Sequence, residues 1–202
     1  MISQRIAELR RALVESPPTP EAHLRLGTVL LKCSATHEAE RELRAAIALD
    51  SKCAGAWLNL GGILLSRWDY GASVEANRKA ADADPNLALA HFNQAIGHLH
   101  LGEAEEAVRC LNRVVELEPQ NAAAHYHLGF GLYSLGRASE AQLCVACASE
   151  LGYRPSSVSA EALERAAAAA DGASTSSQSE EAPSTCKEEG TGTAGSSTRP
   201  RS

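Results

Sequence analysis

The side chains best suited to chemistry in this 202-residue chain are its thiols and imidazoles. Cys144-Val145-Ala146-Cys147 puts two thiols three residues apart. On a helix both face one way, so the pair could hold a soft metal or oxidise. A closed zinc site needs two further ligands, and no second C-x-x-C supplies them. Cys110 and Cys144 stand 34 residues apart, which reads as a packing slot for a small hydrophobe. His91, His98, His100, His125 and His127 are the remaining metal candidates. His98 and His100 point about 200° apart on a helix and cannot chelate together. The phosphate-loop, nucleophile-elbow and H-E-x-x-H motifs do not occur, and Leu60-Gly61-Gly62 reads as a helix-packing pair rather than a phosphate cradle. The expectation is therefore a chain with no catalytic residue, no metal and no cofactor.

These residues sit on a repeating frame. Leu26-Gly27, Leu60-Gly61, Gln94-Ala95 and Leu128-Gly129 succeed one another at 34-residue steps. Leu30, Leu64, His98 and Leu132 keep the step, as do Ala39, Ser73, Ala107 and Ala141, and then Ala46, Ala80, Val114 and Ala148. His23, Trp57, His91 and His125 fill one aromatic slot; Pro85 and Pro119 close the second and third units. Gly102 and Gly136 occupy a turn slot that holds Ser34 and Trp68 in the earlier units. Leu24, Val29, Leu30 and Leu31 lie on one side of a short helix, and Ala39, Leu43, Ala46 and Ile47 recur at three- and four-residue steps. Small residues at Gly27, Ala46, Gly61 and Ala80 let two helix backbones come close. Each unit reads as an antiparallel helix pair that buries its apolar face only against its neighbours.

A 34-residue period with Trp57-x-x-Leu60-Gly61, a mid-repeat Ala and a closing Pro resembles the tetratricopeptide repeat. The resemblance implies an all-α fold: a right-handed α-solenoid of antiparallel helix pairs, in four units at 20–53, 54–87, 88–121 and 122–155. It also implies that Arg25, Asn59, Asn93 and His127, two residues past the aromatic slot, face a concave groove. Asn59 and Asn93 resemble the asparagine ladder of the O-GlcNAc-transferase superhelix. An amide there both donates and accepts, and can pair with a peptide main chain of any sequence. Phe92, Tyr126, Phe130 and Tyr133 flank that row as candidate anchors, with packing between helices as the alternative for each. The family's carboxylate clamp is not matched: Leu24 and Thr28, then Phe92 and Ile96, stand where its Lys and Asn would be. Docking of an acidic chaperone tail is therefore disfavoured.

The segment 1–19 fits the second helix of a unit, with Ala12 on the late Ala slot and Pro17 on the closing Pro. It reads either as an N-terminal cap or as the beginning of a longer array cut mid-repeat, and it could support self-association. Residues 156–170 read as a closing helix with Ser159 as N-cap. From Asp171 to Ser202 there is no Val, Ile, Leu, Met or aromatic residue, and 13 of the 32 positions are Ser or Thr. Such a segment buries too little apolar surface to offset chain entropy, so a disordered tail is expected. The chain has 37 alanines and only two phenylalanines and two tryptophans, which favours helices packed through small residues. Net charge is −6, split evenly between 1–155 and 156–202, and argues against nucleic-acid binding. No apolar run suits a membrane span, the N-terminus lacks a signal-peptide pattern, and the six cysteines read as reduced thiols. The expected protein is a cytoplasmic, non-catalytic scaffold or adaptor that binds a peptide segment of a partner in the groove. The alternative is the substrate-recognition array of a glycosyltransferase whose catalytic part is not in this chain.

Overall fold

The computed structural model describes residues 2–15 and 17–155, together with 160, 161, 163–165, 167 and 168. The Ser159 cap and the tail 171–202 lie outside the described residues. Among the described residues nine bounded helices follow one another: α1 (Ile2–Glu15), α2 (Pro20–Lys32), α3 (Thr36–Leu49), α4 (Ala54–Ser66), α5 (Tyr70–Ala83), α6 (Ala88–Leu101), α7 (Ala104–Leu117), α8 (Ala122–Ser134) and α9 (Ala138–Glu150). Residues 160, 161, 163–165, 167 and 168 are also helical, and Leu163 and Ala167 pack against the core of the last helix pair.

Local chemistry sets these boundaries. Thr19, Asp69 and Asn121 cap α2, α5 and α8, each side chain accepting the backbone N–H three residues on, and α2 starts with Pro20. The turn inside each pair repeats in detail. Ser34, Trp68, Gly102 and Gly136 all adopt left-handed backbone angles, with φ of 58°, 65°, 78° and 72°. The next residue then donates its N–H back to the Leu30, Leu64, His98 or Leu132 carbonyl, at 3.0, 3.1, 2.9 and 2.9 Å. This closure caps the helix C-terminus and requires the positive φ that glycine adopts without penalty.

Contacts are strictly local. Each helix packs on the next, and the first helices of successive pairs also touch: α2 on α4, α4 on α6, α6 on α8. The second helices α3, α5, α7 and α9 make no such contact with one another. The row α2, α4, α6 and α8 is therefore drawn closer together than the row α3, α5, α7 and α9. The slots that repeat Gly or Ala are the points of closest approach. Ala39, Ala46, Ala80, Ala107, Ala141 and Ala148 are fully buried. A Cβ at Gly27 would come within 3.0 Å of Leu43, and one at Gly129 within 2.6 Å of Val145. The molecule is thus an all-α solenoid whose core is divided among successive interfaces.

Candidate functional site

The aromatic slot at the start of each first helix is a hydrogen-bonding post. Trp57 Nε1 donates to the Ser51 carbonyl at 2.9 Å. His91 Nε2 lies 3.1 Å from the Pro85 carbonyl and His125 Nε2 lies 2.9 Å from that of Pro119. A carbonyl only accepts, so in both histidines the proton sits on Nε2. Imidazole replaces indole because both present a ring N–H at the same reach, six residues ahead of the acceptor. His23 departs from the pattern and pairs through Nδ1 with Glu42 at 2.7 Å.

Two residues further on, Asn59 and Asn93 are half-buried and line one cleft of about 240 Å³ with Leu31, Leu58, Ile63 and Leu89. Each amide already spends one N–H inside the protein. Asn59 Nδ2 donates to Thr28 Oγ1 at 3.1 Å, and Asn93 Nδ2 donates to Asn77 Oδ1 at 3.3 Å. The second N–H and the carbonyl of each amide retain their bonding capacity, and the internal bonds fix the side-chain orientation. Arg25 is exposed on α2. His127 is half-buried, with its ring edge-on to Phe92 at 5.6 Å and to Tyr126 at 5.5 Å. Burial chiefly, helped by the charge of His100, lowers its pKa to about 4, so the groove carries a neutral imidazole at pH 7.

The aromatic row divides. Tyr126 is 3% exposed and packs on Tyr153 at 4.7 Å, while Tyr133 is 9% exposed and belongs to the core cluster of the last units. Phe92 and Phe130 are half-buried. A second cleft of about 320 Å³ runs past Leu89 and Phe92 to Glu118 and Asn121. Leu89 borders both clefts and is 53% exposed.

Asn77 is the residue that sequence reasoning missed. It occupies the slot of Leu43, Leu111 and Val145, and is fully buried beside Ser73. Its Nδ2 donates to the Ser73 carbonyl at 2.8 Å, and Ser73 Oγ donates to the Gly61 carbonyl at 2.9 Å. Comparing the Leu43 slot across units is the signal that would have found it: Asn there is polar where the others are aliphatic. Gly61 is obligatory, because a Cβ would lie 2.2 Å from Asn77 Nδ2.

Cys110 and Cys144 show no activation. Cys110 donates from Sγ to Gln94 Oε1 at 3.4 Å, and burial pushes its pKa up. Burial chiefly, and then the nearby Cys147 and Glu140, push Cys144 up as well, which keeps it a protonated, weakly nucleophilic thiol. Among the described residues no three His, Cys, Asp or Glu side chains gather as metal ligands, and no helix is long and apolar enough to cross a membrane.

Comparison with known proteins agrees with this architecture. Sequence-family profiles for the TPR repeat and the tetratricopeptide repeat match residues 98–136 and 36–88 respectively. No curated protein matches the chain in sequence. Among solved structures, MamA superposes with a TM-score of 0.68 at 21% identity, covering 74% of this chain and 88% of MamA. A MamA fragment from Desulfovibrio magneticus RS-1 gives 0.66 at 20% identity, over 74% and 85% of the two chains. YrrB, a TPR protein with an unusual peptide-binding site, gives 0.68 at 21% identity, over 71% and 74%. With the 34-residue frame and the uniform turn closure, these matches identify tetratricopeptide repeats within residues 36–88 and 98–136 of the chain.

Proposed function

We propose that the chain is a non-catalytic interaction scaffold that holds a peptide segment of a partner protein along its concave face. The observation that carries this reading is the groove itself, where Asn59 and Asn93 line one cleft and are oriented by internal hydrogen bonds. An oriented amide with unused donor and acceptor capacity can pair with a peptide main chain, and half-buried Phe92 and Phe130 add apolar contact surface beside it. A reducing, cytoplasmic setting is supported by the free thiols of Cys33, Cys53, Cys110, Cys144 and Cys147, and adaptor use follows from the groove reading. A recognition array serving a glycosyltransferase is the second reading, favoured by the two asparagines sharing one cleft.

The test is capture of partner proteins by residues 1–170, compared with the Asn59→Ala/Asn93→Ala variant. Capture should fall by about tenfold or more, on the scale of two lost hydrogen bonds, while circular dichroism keeps its helical signal. Equal capture by the double variant removes the amides from the reading. Loss of helicity in the variant transfers the test to Leu89→Asp, which alters only the exposed groove wall.

A further inference from the structure

The residue after the Leu-Gly pair reads Thr28, Gly62, Ile96 and Phe130 in successive units, and Gly62 lines the first cleft. Only the second unit has no side chain there. Gly61 beside it is held by packing against Asn77, but a Cβ on Gly62 would meet nothing within 4 Å. Glycine in a helix interior is unfavourable, and here no close backbone approach requires it. Gly62 lines the cleft of about 240 Å³, so a side chain there would project into open space beside it. Leu31, Leu58, Ile63 and Leu89 supply its apolar walls, Asn59, Asn93, Thr36 and Ser66 its polar ones, and none of its lining residues is charged. An unpaired charge would therefore be desolvated there without a counter-ion, whereas an aliphatic group would cover Leu89, now 53% exposed.

We infer that Gly62 opens a notch that admits one aliphatic side chain of an extended, uncharged peptide segment, with Asn59 and Asn93 engaging the main chain beside it. The inference rests on the groove reading above and gives that groove its side-chain preference. The two helical glycines with open surroundings serve as a matched pair for the test, because Gly71 on α5 also meets nothing within 4 Å and lines none of the cleft.

The probes are immobilised octapeptides of Ala, Ser and Asn with a single central Leu, Ala, Lys or Glu. The wild-type protein should retain the Leu peptide about tenfold better than the Ala peptide, and the Lys and Glu peptides least. Gly62→Leu fills the notch and should bring the Leu-to-Ala ratio to about one, with a thermal midpoint equal to or above wild type, since leucine is the better helix former. Gly71→Leu should keep the wild-type ratio. A Gly62→Leu protein with an unchanged Leu preference overturns the notch and leaves the groove reading standing. Retention of none of the octapeptides by the wild-type protein overturns both.

Discussion

His91 and His125 show how a residue type changes while its task stays. Each ring N–H reaches the carbonyl six residues back, as Trp57 does. His91→Phe keeps the ring and loses the donor, so it should lower stability by about 1 kcal/mol in urea denaturation, while His91→Trp should restore it. His127 behaves differently, because it is held neutral. Its folded pKa of about 4 lies below the ordinary 6.5, so the unfolded chain takes up the proton first. Its contribution to stability is complete above pH 6.5 and is lost as pH falls towards 4. His127→Asn, the residue of the two preceding units, should flatten the denaturation midpoint across that window. A midpoint of equal slope in both proteins would show that another group titrates there.

At the scale of elements, the turn closing each first helix demands a left-handed residue whatever the side chain. Trp68 meets that demand at φ 65° while 75% exposed, so it contributes little burial in return for its backbone penalty. Trp68→Gly should raise stability by about 1 kcal/mol, read as a higher urea midpoint with unchanged slope. This turn was legible in the sequence, because Gly102 and Gly136 mark a slot that Ser34 and Trp68 share. The helix pairs were legible for a related reason: close backbone contacts tolerate few side chains, so Gly and Ala recur in register. The division of the aromatic row was not. Tyr126 and Tyr133 lie on α8, which α7, α9 and the helical residues beyond 160 surround, and a 34-residue period does not say which flank of a helix is covered. The bonds of Asn59 and Asn93 to Thr28 and Asn77 were hidden too, since they join different slots of different helices.

At the scale of the molecule, every helix rests on its neighbours in sequence, and stability is a chain of nearest-neighbour terms. The first term is α1, whose Ile6, Leu9 and Leu13 cover Leu26, Leu30 and Ala39. Leu9→Ala with Leu13→Ala should speed amide exchange in α2 and α3 while α8 keeps its protection, because no contact links the two ends. Equal acceleration in α8 would mean a single cooperative unit instead. The one-sided contact row has a mechanical consequence as well. The helices α2, α4, α6 and α8 brace one another, whereas α3, α5, α7 and α9 meet only the helices next to them in sequence. Such a body is linked like a spring, with one row of helices joined along its length and the other joined only through it. Small strains shared among the successive interfaces would add up along the array and change the width of its clefts while leaving each helix intact.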